Sequence, residues 1–116
     1  MPLIKIETNV TLPPPKQQEA LLAAVSKTLA EITHKAESHC QALLTPCAVL
    51  FAGKPGPSAF VDIRGIGGLH REINAKLSAA LAEQLKKALG VPPDRLYINF
   101  TELAAANWGW NGELFG

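Results

Sequence analysis

The first residue of this chain able to do chemistry is Pro2, directly behind Met1. An initiator methionine is cut away when the residue behind it is small, and proline qualifies. The product then begins with a secondary amine. Such an amine is a base only while uncharged. An α-amino group ordinarily titrates at about 8, and desolvation beside another cation lowers that value. A neutral Pro2 nitrogen at physiological pH can therefore carry a proton between carbon and oxygen. Proline also starts many chains with no such role, so its company decides the reading.

Other constellations point to less. His34, His39, His70, Cys40 and Cys47 do not have metal-ligand spacing, and the two cysteines are separated by six residues on apparent strands. Without a secretory signal, two such thiols are expected to be free and buried rather than bridged. Gly65-Ile66-Gly67-Gly68 lacks the spacing of a phosphate-binding loop and reads as a flexible entry into a helix. A serine–histidine–aspartate arrangement stays open, but no nucleophile-elbow string is present.

The elements that must position these residues come as two similar halves. Ala20-Leu21-Leu22-Ala23-Ala24-Val25 lines up with Lys76-Leu77-Ser78-Ala79-Ala80-Leu81, an offset of about 56 residues. This reads as one domain over 1–116 built from two βαβ units, about 2–57 and 58–116. In the first, Leu3 to Thr8 alternates as a half-buried strand. Pro13-Pro14-Pro15 can open a helix that runs to about Thr33, with Leu22, Val25, Leu29 and Ile32 as its apolar stripe. A strand near Cys40 to Thr45 follows, then a short one at Val49 to Ala52, then the turn signal Lys54-Pro55-Gly56-Pro57.

The second unit predicts a strand over Ala59 to Arg64 and a helix from about Leu69 to Leu89, with stripe Ile73, Leu77, Leu81 and Leu85. Gly90 stands where a helix-ending glycine belongs. The last long strand is Arg95 to Thr101, with Tyr97, Asn99 and Thr101 on one face and Leu96, Ile98 and Phe100 on the other. Trp108-Gly109-Trp110-Asn111-Gly112 holds an Asn-Gly pair suited to a tight hairpin. Right-handed crossovers put both helices on one face of a four-stranded sheet in this α/β (α+β) arrangement. The other face then needs a lid, and a neighbouring subunit is the natural one.

Composition fits a folded domain. Hydrophobic residues make up 47% of the chain, enough to offset ordering entropy. The net charge of +1 carries no basic block, which argues against nucleic acid or an anionic membrane as partner. No apolar run approaches the roughly 20 residues of a membrane span, and Met1-Pro2-Leu3-Ile4-Lys5 enters a strand directly rather than a signal peptide. The expected compartment is the cytoplasm.

Several strings taken together carry a resemblance. Pro2 ahead of an alternating strand, Thr8-Asn9-Val10, the Gly65-Ile66-Gly67-Gly68 passage, Asp94-Arg95-Leu96-Tyr97-Ile98-Asn99-Phe100 and Ala105-Ala106-Asn107-Trp108-Gly109-Trp110-Asn111-Gly112 stand in order over nearly the whole chain. In this the sequence resembles the macrophage migration inhibitory factor family. The resemblance implies a homotrimer with a site at each subunit interface. It also implies cofactor-independent keto–enol tautomerisation of phenylpyruvate-like or dopachrome-like compounds, with neither metal nor nucleotide. Pro2 matches the family's catalytic proline, Lys35 the lysine that holds the substrate carboxylate, and Ile66 the residue whose backbone N–H donates to it. Tyr97 and Asn99 match polar residues contributed by the neighbouring subunit, and Trp110 and Phe115 the apolar walls. An alternative within the resemblance is a signalling protein that binds a receptor, is exported without a signal peptide, and keeps the pocket as an inheritance.

Each residue also has a plainer reading. Lys35 at a helix end meets the helix dipole, Tyr97 can sit in a core, Asn99 can serve a strand edge, and the tryptophans can pack the tail. The chain departs from the family at Ala36, where relatives carry proline. It departs again at Ser58-Ala59-Phe60-Val61, which lacks the Cys-x-x-Cys pair of some relatives. At Trp108, where a smaller aliphatic residue is common, the expectation is a narrower cleft.

Overall fold

In the computed structural model, which describes residues 2–116, the alternation of Leu3–Thr8 becomes strand β1, with Ile4, Ile6 and Thr8 buried and Leu3, Lys5 and Glu7 turned away. The remaining elements are helix α1 (Pro15–Thr33), strand β2 (Gln41–Pro46), strand β3 (Ala59–Gly65), helix α2 (Arg71–Leu89), strand β4 (Leu96–Glu102) and a hairpin of β5 (Gly109–Trp110) and β6 (Glu113–Leu114). The main sheet has the order β2-β1-β3-β4. β1 runs parallel to β2 and antiparallel to β3, and β3 runs parallel to β4. This is the mixed, pseudo-duplicated sheet that two βαβ units predict, with the short C-terminal strands added.

Both helices cover one face. Ile4, Ile6, Val61 and Ile63 point into that layer with no exposure, and meet Val25, Leu29, Leu77, Leu81 and Leu85, which have none either. The helices also touch through Gln84, whose Nε2 donates to Thr28 Oγ1 at 2.7 Å. The stripes differ by a residue from those expected. In α1 the buried line is Leu21, Val25 and Leu29, while Leu22 and Ile32 are only half-buried. In α2 it is Leu77, Leu81, Leu85 and Leu89, with Ile73 at the margin. A strict four-residue step drifts slowly around a helix, and packing against the sheet selects which line faces in.

Two boundaries move for backbone reasons. Gly67 and Gly68 have φ of 69° and 78°, so the chain stays irregular there and α2 starts at Arg71 rather than Leu69. The short strand expected at Val49 to Ala52 does not form. Ala52 and Gly53 both have positive φ, 54° and 71°, and close a two-residue turn in which Phe51 and Lys54 exchange backbone hydrogen bonds. A turn that tight leaves one isolated bridge and no room for a strand. The cysteines flank β2 rather than sit on it, and both are free but only half-buried.

Asn9 fastens this loop to the sheet. Its Nδ2 donates to Gly56 O at 2.8 Å, and its Oδ1 accepts from Ser58 N at 2.9 Å. Asn9→Ala should cost about 1–3 kcal/mol, chiefly by leaving the buried Ser58 N–H unpaired, since the Gly56 carbonyl keeps Ser58 Oγ and Arg95 Nη2, measured as a lower denaturation midpoint.

Candidate active site at the Pro2 cleft

Pro2 precedes β1 and is fully buried, and its carbonyl accepts from Gln41 N at 3.1 Å. It forms the floor of a cleft of about 330 Å³ lined by Ser38, His39, Cys40, Gln41, Trp108, Gly109, Trp110 and Phe115. The walls come from two places. A short 3-10 turn, Glu37–His39, carries the chain from α1 to β2. The other wall is the C-terminal hairpin, turned by Asn111 at φ 53° and Gly112 at φ 79° as the Asn-Gly pair predicts. Phe115 N donates to Trp108 O at 3.1 Å and folds the tail back beside the hairpin. The rings of Trp110 and Phe115 lie parallel within 9° at 6.1 Å, and His39 meets them edge-on at 5.6 and 6.3 Å.

Of the residues singled out in the sequence, Pro2, Trp110 and Phe115 meet in this cleft. Lys35 and Ile66 meet each other beside it. Helix α1 ends with His34 in the left-handed region, so Lys35 leaves the helix axis and reaches the glycine passage. Its Nζ donates to Ile66 O at 2.5 Å and Gly67 O at 2.8 Å. Gly68 is what makes room. A Cβ there would lie 3.1 Å from Lys35 Cε, at a φ of 78° that side chains avoid. Gly68→Ala should displace Lys35 and strain the passage, costing about 1–2 kcal/mol, read as a lower denaturation midpoint.

Tyr97 and Asn99 stand elsewhere. In the register of the sheet Tyr97 pairs with Phe60, whereas Leu3, next to Pro2, pairs with Arg64. At about 3.3 Å per residue the tyrosine lies roughly 16 Å further along the sheet than the proline. Tyr97 is 67% exposed there, against Phe51 at 4.8 Å. Within one chain the structure does not bring Tyr97 or Asn99 to Pro2.

Sequence reasoning missed His39, Ser38 and Gln41 as lining residues, because nothing in their spacing ties them to the hairpin some 70 residues on. Trp108, singled out for its size, does line the cleft. Cys40 lines it too. Burial pushes its thiol up from the ordinary value, helped by Glu37 and opposed by Lys35, so it favours the protonated form.

The macrophage migration inhibitory factor family profile matches residues 1–116. The macrophage migration inhibitory factor of Meriones unguiculatus is 34% identical over 116 residues, 99% of each chain. Among solved structures, the homologue from Prochlorococcus marinus superposes with a TM-score of 0.94 at 32% identity, covering 98% of this chain and 99% of that one. The protein from Toxoplasma gondii does so with a TM-score of 0.93 at 31% identity, over 97% and 99%. Among the described residues no helix is long and apolar enough to cross a membrane. Matched from end to end in sequence and in fold, the chain belongs to the macrophage migration inhibitory factor family, within the tautomerase superfamily.

Proposed function

We propose that this protein is a cofactor-independent keto–enol tautomerase of small aromatic α-keto acids, with the Pro2 nitrogen as its general base once Met1, outside the described residues, has been removed. The observation that carries this reading is the burial of Pro2 in a cleft walled by Trp108, Trp110 and Phe115. Burial favours the neutral amine, and the positive charge of Lys35 nearby works in the same direction. The aromatic walls suit a phenyl substituent, at the ring separations where such pairs attract.

In the proposed reaction the substrate's acid end lies toward Lys35 and the Ile66 N–H. Lys35, by gripping the carbonyls of Ile66 and Gly67, fixes the passage that presents that N–H. Neutral Pro2 takes the proton from the enol or from the carbon beside the keto group and returns it to the other atom. Fixed donors around the developing enolate lower the barrier without reorganising at each turnover. Tyr97 and Asn99 complete the cleft from a neighbouring protomer in a homotrimer. Their distance from Pro2 within one chain supports that arrangement, as does the bare sheet face bearing Leu43, Tyr97 and Asn99.

The test combines a mass with a rate. The purified chain should weigh one methionine less than its 116 residues, and should speed ketonisation of enol-phenylpyruvate well above buffer. A processed chain that leaves the buffer rate unchanged would refute the proposal.

A further inference from the structure

The inward line of β4 ends on a carboxylate. Leu96, Ile98 and Phe100 pack against the core, and the alternation of a strand puts Glu102 on their side of the sheet. No cation lies within ion-pair distance of Glu102 among the described residues. Its partner is a backbone amide instead. Oε1 accepts from Leu69 N at 2.9 Å, where the glycine passage hands over to α2.

The next residue grips the other end of the same passage. Leu103 N donates to Gly65 O at 2.8 Å, which aims the peptide that joins Gly65 to Ile66. A trans peptide is planar, with its C=O and N–H pointing in opposite directions. The Ile66 N–H is therefore turned away from Leu103, and among the described residues it donates to no backbone carbonyl. Between the two ends Lys35 holds the carbonyls of Ile66 and Gly67. The passage is thus held through its oxygens by Lys35 and Leu103, and at its far end through one N–H by Glu102. Gly67 and Gly68, at φ 69° and 78°, supply the freedom to swing once that N–H is released.

We propose that Glu102 is a positioning residue for the acid-binding end of the cleft. By holding Leu69 N it ties the passage to β4 and keeps the Ile66 N–H aimed at a substrate carboxylate that Glu102 itself never touches. The position needs an acceptor and not a charge, because a negative charge there repels an anionic ligand. The inference rests on the reading of Lys35 and the Ile66 N–H as partners of that carboxylate, but not on turnover.

The test is binding of 3-phenylpropanoate and of 3-phenylpropanamide, which are close in shape, differ in charge and do not react. Calorimetry on the processed full-length protein reads both. The wild type should bind the acid about tenfold more tightly than the amide, the size expected of charge-assisted hydrogen bonds. Glu102→Gln and Glu102→Met both remove the charge at nearly constant size, but only glutamine keeps an oxygen acceptor. The methionine chain should bind the acid about fivefold more weakly than the glutamine chain, with amide affinities equal within about twofold. The glutamine chain should keep at least the wild-type preference. A purely structural role for Glu102 would lower the denaturation midpoint and leave the acid preference of both variants alike. That result overturns the proposal while the carboxylate subsite stands. Parallel loss of acid and amide affinity in the methionine chain overturns it as well. A wild type that does not distinguish acid from amide removes the subsite, and this inference with it. Acid preference lost only with methionine, in a protein without tautomerase activity, would instead sink the proposed reaction and leave Glu102 in its role.

Discussion

Pro2→Gly is expected to lower kcat/KM for phenylpyruvate tautomerisation by about 10²- to 10⁴-fold, the usual contribution of a positioned general base. The variant keeps a terminal amine, so the loss measures placement and basicity rather than the mere presence of nitrogen. In the wild type the ring of Pro2 fills the floor of the cleft and pins its nitrogen. Glycine leaves a freely rotating primary amine, better hydrated and no longer held in one position. Because Pro2 is not the group expected to hold the substrate, kcat should fall far more than KM rises. A second chain, with one alanine inserted between Met1 and Pro2, turns the Pro2 nitrogen into an amide that cannot accept a proton. Its rate should drop to that of buffer. If either chain keeps the wild-type rate, the proline is a structural residue and the base lies elsewhere.

The largest stability effect is expected at Leu81. It is the middle residue of the buried line of α2, with no exposure, inside the cluster that joins both helices to Ile4, Ile6, Val61 and Ile63. Leu81→Ala removes buried methyl groups and leaves a void that packed neighbours can only partly fill. The expected cost is about 2–5 kcal/mol, a large share of the roughly 5–15 kcal/mol that holds a domain folded. Urea unfolding at fixed protein concentration should show a lower midpoint with an unchanged slope. Fixing the concentration matters because the self-association proposed above would add its own stability. A cost under about 1 kcal/mol would mean that the helix layer relaxes around the loss, contrary to close packing.

The fold was readable because its elements are set by period. The two-residue alternation of Leu3 to Thr8 and of Leu96 to Thr101 needs no tertiary information, and the internal likeness of the two halves supplied the topology. The errors fell where backbone conformation outweighs pattern. Val49 to Ala52 looks like a strand by composition, yet the left-handed Ala52 and Gly53 turn it back at once. The start of α2 slipped because two glycines ahead of it hold the chain open.

The candidate site was legible in part, and unevenly. Pro2 declares itself by position and Trp110 by a recognisable string. His39 was named only as a poor metal ligand. Its place beside Trp110 depends on how a three-residue turn meets a hairpin from the other end of the chain, a contact with no local signature. Lys35 was located in sequence, but the two carbonyls that absorb its charge became visible only once the glycine passage had a shape.

The separation of Pro2 from Tyr97 by most of the length of one sheet has a genetic consequence. In the proposed trimer, a chain laid out this way would own two half-equipped sites, lending an aromatic hydroxyl in one direction while borrowing one from the other. Two inactive alleles, one blind in the proline and one in the tyrosine, would then rescue each other when co-expressed, because some mixed rings would contain an intact pair. Selection would act on the assembled ring before it acts on any single polypeptide.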